Sequence, residues 1–340
     1  MNVQSALAQL FEGKNLSQED SKSTFLEVMS GSATPGQIGA LLAALRVKGE
    51  TPEEIAGAAQ AMRALSLKVD VSVPNLVDTC GTGGSGQKLF NISTAAAFAA
   101  AAAGAHVAKH GNRKMTSASG SADVLEAAGV NLDLSPEQLA QCISDVGVGF
   151  LFAQAHHSAM RHAAPVRREL GARTIMNVLG PLTNPAGATN QVIGVFSPDW
   201  QTPIAEVAKL LGAEHVLIVH SAGLDEIGLE GASRVVELKN GSIEEYEVTA
   251  TDFELQARPH TELRSDSPES SLALVKQALT EPDSAAADIV SLNAGAAIYA
   301  AGVATTFGNG VIMAQDAIAA GLANERLQEL IRISKLMGET

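Results

Sequence analysis

The stretch Leu76-Val77-Asp78-Thr79-Cys80-Gly81-Thr82-Gly83-Gly84-Ser85-Gly86, followed shortly by Asn91-Ile92-Ser93-Thr94, decides how the rest of the chain reads. A short apolar strand runs into a loop with four glycines in the six residues from Gly81 to Gly86. Glycine admits backbone conformations and close approaches that a Cβ blocks, so main-chain N–H groups can line an anion. Asn91-Ile92-Ser93-Thr94 then opens an alanine-rich helix, whose first amides lack intrahelical partners and attract negative charge. Taken alone, the glycine run is equally a plain turn, with Ser93 as an ordinary helix cap. Its spacing fits neither the Gly-Lys-Ser/Thr phosphate loop nor the dinucleotide fingerprint, whose helix follows the glycines directly.

Outward from this stretch, short apolar runs alternate with helical segments. Candidate strands are Leu76-Val77, His106-Val107-Ala108, Phe150-Leu151-Phe152, Val192-Ile193-Gly194-Val195-Phe196 and Val216-Leu217-Ile218-Val219. Such alternation predicts an α/β architecture with a mostly parallel central sheet flanked by helices. Val235 to Leu238 and Glu244 to Val248, joined through Asn240-Gly241, predict a hairpin at one edge, because Asn-Gly supplies the positive φ of a tight turn. The first seventy residues read as helices. Thr34-Pro35-Gly36-Gln37 and Thr51-Pro52-Glu53-Glu54 each set a capping Thr before Pro, with Gln or Glu three residues after the cap. Ile38, Leu41, Leu42 and Leu45 recur at helical spacing. A further helix is predicted from Ser267-Pro268-Glu269, and Ala285 to Ala301 is apolar enough to be buried.

Composition narrows the function. A chain of 340 residues buries a sizeable core without staples, and its two cysteines, Cys80 and Cys142, have no metal or redox spacing. They point weakly to a reducing compartment. The N-terminus lacks the basic and then apolar layout of a secretory signal, and Ala95 to Ala105 is too short to span a bilayer, so a cytoplasmic protein with no membrane partner is expected. A formal charge of −14 disfavours nucleic acid as a partner. Net charge decides little at a small anion pocket, where amides, a few cations and a metal act locally.

Two further loops carry chemistry. Ala108-Lys109-His110-Gly111-Asn112-Arg113-Lys114 puts three cations in the six residues from Lys109 to Lys114, beyond a strand of an acidic protein. An anionic ligand explains this better than solubility does. Ser117, Ser119 and Ser121 around Gly120 open the next helix with hydroxyl donors. Gly223-Leu224-Asp225-Glu226 follows the strand ending at His220, where α/β proteins bind ligands. Adjacent carboxylates there suit magnesium, which takes one or two carboxylates and completes its shell with water and phosphate oxygens. Arg161, Arg167 and Arg168 lie on an expected helix, Arg161 to Glu169, and the sequence does not choose which of them would clamp a carboxylate. His156 and His157 lack a carboxylate at metal-binding spacing, so no zinc is expected, and His110 implies no proton shuttle.

In this order, Gly81-Thr82-Gly83-Gly84, Asn91-Ile92-Ser93-Thr94, Lys109-His110-Gly111-Asn112-Arg113, Ser119-Gly120-Ser121-Ala122-Asp123, Asn177-Val178-Leu179-Gly180-Pro181-Leu182-Thr183-Asn184-Pro185 and Gly223-Leu224-Asp225-Glu226 resemble the anthranilate phosphoribosyltransferase family over nearly the whole chain. The resemblance implies a small helical domain, residues 1–72 with about 165–185, beside an α/β domain, residues 73–164 and 186–340. It also implies a homodimer paired through the helical domain. Its implied reaction transfers the phosphoribosyl group of phosphoribosyl pyrophosphate to the amine of anthranilate, a step of tryptophan biosynthesis. Gly81 to Gly84, Asn91, Ser93, Thr94 and Lys109 would hold the donor, with Ser121 also in the substrate site. Ser93, Asp225 and Glu226 would hold two magnesium ions through substrate oxygens. The loop from His110 to Lys114, with Gly111 and Arg113, would fold over the reacting centre. Asn112 would approach the acceptor, and Arg167 would pair with its carboxylate. No general acid or base is implied. One departure stands out: the family usually has Asp after Gly-Thr-Gly-Gly, and this chain has Ser85. Rival expectations are a nucleoside phosphorylase, against which the acidic pair argues, and a nucleic-acid-binding relative, against which the net charge argues.

Overall fold

The computed structural model describes residues 1–84, 86–113 and 119–338. Ser85, Lys114 and Ser117 lie outside the described residues. The chain begins with four helices, α1 (Val3–Phe11), α2 (Gln18–Met29), α3 (Pro35–Lys48) and α4 (Pro52–Leu65). Both expected capping boxes form: Gln37 and Glu54 accept from the backbone N–H of Thr34 and Thr51 at 2.8 and 2.9 Å, and each Thr hydroxyl accepts in return. Glu54 does more than cap. Its fully buried carboxylate also accepts from the Leu16 N–H at 2.9 Å and pairs with Lys48 Nζ at 3.0 Å, tying three segments of the helical unit together. A buried charge tolerates such a place only when paired and hydrogen-bonded.

The sheet contains β1 (Leu76–Gly81), β2 (His106–Gly111), β3 (Val148–Phe152), β4 (Asn190–Gly194), β5 (His215–His220), β6 (Ser233–Lys239) and β7 (Ser242–Val248), in the order β3-β2-β1-β4-β5-β6-β7. The first five of that order run parallel, and β6 and β7 are antiparallel. The expected hairpin forms with Asn240 and Gly241 at φ 50° and 79°. Between β1 and β2 lies α5 (Ile92–Ala102); between β2 and β3 lie α6 (Ser121–Ala128) and α7 (Pro136–Gln141). After β3 the chain runs through α8 (Ala153–His156), a 3-10 turn at Ser158–His162 and α9 (Ala164–Leu170), then crosses to the far side of β1 to form β4. Next, α10 (Gln201–Leu210) leads to β5, and α11 (Pro268–Thr280), α12 (Ala285–Ala300), α13 (Phe307–Ala319) and α14 (Leu322–Gly338) close the chain.

Strand alternation feeds two cores. Leu217 and Val219 of β5 join α5, α11, α12 and α14 on one face, while Val216 and Ile218 join the core that contains α10 and the N-terminal helices. Side chains one residue apart on a strand point to opposite faces, so a parallel strand covered on both sides must be apolar throughout. Val166, Ile175, Met176, Leu179 and Leu182 belong to the second core as well, packed with the N-terminal helices. The alanines of α5 are almost all buried, and their small side chains let neighbouring helices approach closely.

Three local expectations need correction. Both β1 and β2 run further than their apolar residues suggest, to Gly81 and Gly111, so Lys109 and His110 are buried strand residues and not part of the loop expected there. Polar side chains at strand ends conceal strand continuation when the ligand side of a sheet is polar. The strand expected at Val192 to Phe196 ends at Gly194. Finally, Arg161 to Glu169 is not one helix: the chain breaks at Ala163 between the 3-10 turn and α9, with Pro165 in the first turn of α9.

Candidate functional site

Connections leave β1 in opposite directions across the sheet, towards β2 and β3 on one side and β4 and β5 on the other. Parallel sheets bind ligands at such a switch point, beyond the strand carboxyl ends. Here the two central strands end on paired glycines, Gly81 and Gly194. Thr82 donates its N–H to Gly194 O at 2.8 Å and accepts from the Phe196 N–H at 3.1 Å. Gly83, Gly84 and Gly86 then take φ values of 64°, 82° and 75°, a region that strongly favours glycine. The loop from Gly81 is therefore hung from β4 and turns in a way few other sequences allow.

Asp225 and Glu226 reach this loop because Gly194 has no side chain. A Cβ built at Gly194 would lie 1.7 Å from Asp225 O, and one at Gly81 would lie 3.3 Å from Asp225 Oδ2. Asp225 thus presses its main chain on the end of β4 and its carboxylate against the start of the glycine loop. Glu226 Oε1 accepts from the Ser93 N–H at 3.1 Å, at the N-terminus of α5. The turn is braced from behind: Ser221 Oγ donates to Glu226 O at 2.9 Å, and the buried Asn293 of α12 both accepts from Ile227 N–H and donates to Ile227 O at 2.9 Å.

Lys109 enters the same place from β2. Its ammonium donates to Thr79 O and to Ser93 Oγ, the latter at 3.3 Å. Burial lowers its pKa, opposed by Asp78, Cys80 and Glu226. Burial first and the neighbouring Asp225 second raise the carboxyl of Glu226. Two carboxylates held together with little solvent favour a cation between them. Thr94 Oγ1 is buried with no hydrogen-bond partner among the described residues, and Asn91 leaves its capping role to accept from Ser119 Oγ and Ser271 Oγ, each at 2.8 Å. Asp78, fully buried, accepts from the His110 N–H at 3.0 Å, and Gln191 donates to it at 3.4 Å.

The second group gathers around the end of β2. A Cβ at Gly111 would lie 2.2 Å from Ser121 Oγ and 2.7 Å from the Phe150 ring, so this position has room only for glycine. Asn112 Oδ1 accepts from Gln154 Nε2 at 3.2 Å and from the Arg113 N–H at 2.8 Å. His110 Nδ1 lies 3.2 Å from Gly180 O, and its ring packs edge-on to His157 with centroids 5.1 Å apart. Since a carbonyl can only accept, Nδ1 carries the proton and buried Nε2, which has no partner, is an acceptor. Burial, then His157 and His156, lowers His110 to a pKa of about 3, so it is neutral at physiological pH. Arg113 turns to α6 instead, where it forks onto Glu126 at 2.6 and 3.0 Å, so the structure does not bring its guanidinium to the glycine loop. Among Arg161, Arg167 and Arg168, only Arg167 is half-buried, and it has no hydrogen bond or ion pair among the described residues.

Sequence reading missed Gly194, Asp78, Ser271 and Asn293. Asn293 alone left a signal, as a lone amide inside an apolar helix. No group of three or more His, Cys, Asp and Glu side chains forms a metal array among the described residues, so any cation at Asp225 and Glu226 would need further ligands from hydroxyls, water or a bound substrate. A cavity of about 480 Å³ lined by Tyr246, Phe253, Tyr299 and Phe307 lies at the β6–β7 edge and shares no residue with this site. No helix among the described residues is long and apolar enough to cross a membrane.

A glycine loop at a switch point, a helix N-terminus, a buried lysine and a carboxylate pair define a phosphosubstrate transferase on a two-domain scaffold. Residues 73–324 match the family model described as "Glycosyl transferase family, a/b domain", and residues 4–66 match the "Glycosyl transferase family, helical bundle domain". The chain is 56% identical to the anthranilate phosphoribosyltransferase of Hahella chejuensis, covering 100% of this chain and 99% of that protein. Among solved structures it resembles the Thermus thermophilus enzyme at 44% identity and TM-score 0.93, over 97% of this chain and 99% of that one. It also resembles the Saccharomyces cerevisiae enzyme in complex with PRPP and Mg, at 26% identity and TM-score 0.88, over 98% of each. The chain belongs to the anthranilate phosphoribosyltransferase family.

Proposed function

We propose that the chain transfers the phosphoribosyl group of phosphoribosyl pyrophosphate to the amine of anthranilate, releasing pyrophosphate, in tryptophan biosynthesis. The observation that carries this reading is the convergence of Gly81 to Gly84, the N-terminus of α5, Lys109 and the Asp225-Glu226 pair at the β1/β4 switch point. Neither a nucleoside phosphorylase nor a nucleic-acid binder needs that carboxylate pair, and the relatives support neither.

In this reading Gly81, Thr82, Gly83 and Gly84 and the residues opening α5, Asn91, Ser93 and Thr94, line the donor's phosphate groups, with the amides of Gly83 and Gly84 turned to them and Lys109 as buried cation. The hard oxygen donors of Ser93, Asp225 and Glu226 suit magnesium and would hold two ions beside the donor. When bound, magnesium supplies positive charge against the charge that gathers on departing pyrophosphate. The lysine and the loop amides act in the same sense without reorganising, which is the source of most acceleration in reactions of this kind. The C1–oxygen bond breaks as C1 becomes cation-like, the anthranilate nitrogen forms the new C1–N bond, and its surplus proton leaves afterwards. Anthranilate's weakly basic amine is already unprotonated at neutral pH, so no base is assigned. Arg167 pairs with the acceptor carboxylate in the two-pronged geometry guanidinium favours. Asn112 positions the nitrogen, while Gly111 and Ser121, with neutral His110 bonded to Gly180 O, set the turn that carries it. Arg113 contributes by holding this turn to α6.

We divide the chain into a helical domain, residues 1–72 with about 165–185, and an α/β domain made of the rest. This division draws support from the packing of Val166, Ile175 and Leu179 with the N-terminal helices. A homodimer paired through the helical domain, in the cytoplasm, completes the proposal; exposed Phe11, Val47 and Leu65 on that domain are consistent with pairing there. The deciding assay follows loss of anthranilate fluorescence on mixing protein, magnesium and phosphoribosyl pyrophosphate. Loss that requires every component is expected. A folded protein that binds the donor and leaves anthranilate unchanged would refute the assigned acceptor.

A further inference from the structure

Arg173 lies between α9 and the segment that returns to the sheet, and it has no carboxylate partner among the described residues. Its Nη2 donates to Gly84 O at 2.7 Å, and its guanidinium carbon stands 3.8 Å from the centroid of the Phe196 ring. Phe196 is itself fixed: its N–H donates to Thr82 Oγ1 at 3.1 Å, and its ring meets Trp200 edge-on. One residue of the crossing segment therefore grips the glycine loop at Gly84 while resting on the residue that anchors the loop at Thr82.

A loop that cradles an anion through its amides also carries carbonyl oxygens, which repel that anion. In left-handed conformations, as at Gly83 and Gly84, the peptide planes rotate easily, so something must keep the carbonyls turned away. Thr82 is held to the end of β4 through its N–H and hydroxyl. At Gly84 the acceptor is bonded by Arg173 alone among the described residues. A guanidinium has five N–H donors, of which this bond uses one, and its positive charge is unbalanced by any acid in contact. Stacking on Phe196 fixes the plane of the fork, a geometry that lysine does not reproduce.

We propose that Arg173 is a positioning residue for the pyrophosphate end of the donor site: it holds the Gly84 carbonyl away from the anion and couples the glycine loop to the segment that carries Arg167. This inference rests on the donor site proposed above. It is tested with inorganic pyrophosphate and magnesium, by calorimetry on the full-length chain, together with steady-state kinetics in both substrates. Arg173→Met is expected to weaken pyrophosphate binding about tenfold and to raise the KM for phosphoribosyl pyrophosphate similarly, with kcat and the KM for anthranilate within about twofold. Arg173→Lys, which keeps the charge and one hydrogen bond, is expected to recover part of the loss. A mere loss of stability would lower kcat in proportion to the folded fraction and leave both KM values unchanged; that pattern, or unchanged binding in Arg173→Met, overturns the proposal. Wild-type protein that fails to bind pyrophosphate or the donor would instead overturn the donor site itself, and this inference with it.

Discussion

Gly194→Ala is the substitution that most directly tests how the fold carries the carboxylates proposed to bind magnesium. Gly194 has an ordinary backbone conformation, so alanine introduces no torsional strain there. The cost is purely steric: the new Cβ falls 1.7 Å from Asp225 O and 2.6 Å from Asp225 C. Carbon–oxygen contact requires more than 3 Å, so the Asp225 main chain has to withdraw by roughly 1.5 Å. Backbone cannot swing aside as a flexible side chain does, and Asn293 and Ser221 hold the same turn from the other side. Misplacement of a reacting group by about 1 Å costs on the order of a hundredfold, so kcat/KM is expected to fall about 100-fold, equivalent to ~2.7 kcal/mol. Overpacking adds a destabilisation of about 1–3 kcal/mol, visible as a lower denaturant midpoint. The control is Gly308→Ala on α13, where a Cβ meets nothing within 4 Å, and wild-type activity is expected. Progress curves at several magnesium concentrations measure both effects. If Gly194→Ala keeps wild-type kcat/KM and an unchanged magnesium titration, the placement of Asp225 by β4 is wrong.

Asp225→Asn and Glu226→Gln are each expected to reduce turnover about 100-fold in the fluorescence assay and to raise the magnesium concentration needed for half-maximal rate; an unchanged magnesium titration in both removes them from the metal site. For Arg167→Ala, the KM for anthranilate should rise at least about tenfold with little change in that for the donor, and the reverse split would reassign this arginine. The contribution of His110 and His157 to stability should fall as the pH drops below about 6.5, the ordinary histidine value, towards 4 and 3, opposed in part by the raised carboxyl of Glu226. Burial and neighbouring histidines lower His157 to about 4 and His110 to about 3, so over that window the unfolded chain takes up protons that the folded chain does not. Urea midpoints at pH 7 and pH 5 read this directly, and His157→Asn should lessen the difference; an equal difference in the variant would show that other groups govern it.

Much of the local structure was legible in the residues themselves. Thr34 and Thr51 announce their capping boxes because a cap depends on atoms three residues apart. Asn240-Gly241 announces its hairpin because the turn depends on two φ angles. The glycines after β1 and the pair Asp225-Glu226 suggest the proposed anion and cation sites for similar reasons, since each brings its own chemistry in consecutive residues. Strand ends were less legible. Lys109 and His110 look like the start of a basic loop until β3 pairs with them and the fold takes them out of water.

What the sequence determined by itself is the set of ingredients: a phosphate loop, a helix N-terminus, an acidic turn and a family resemblance carried by their order. Tertiary structure decided which ingredients meet. Gly194 is an unremarked glycine in an apolar run until the crossing of the chain puts β4 beside β1, and only then does its missing side chain become the space that Asp225 fills. Arg167 is one of three similar arginines until the break at Ala163 leaves it half-buried and the others exposed. Arg173 acquires an acceptor more than eighty residues away. Propensity and capping act within a turn or two of helix, whereas burial and close approach depend on which strands become neighbours, and that order is set by how the whole chain packs its two cores.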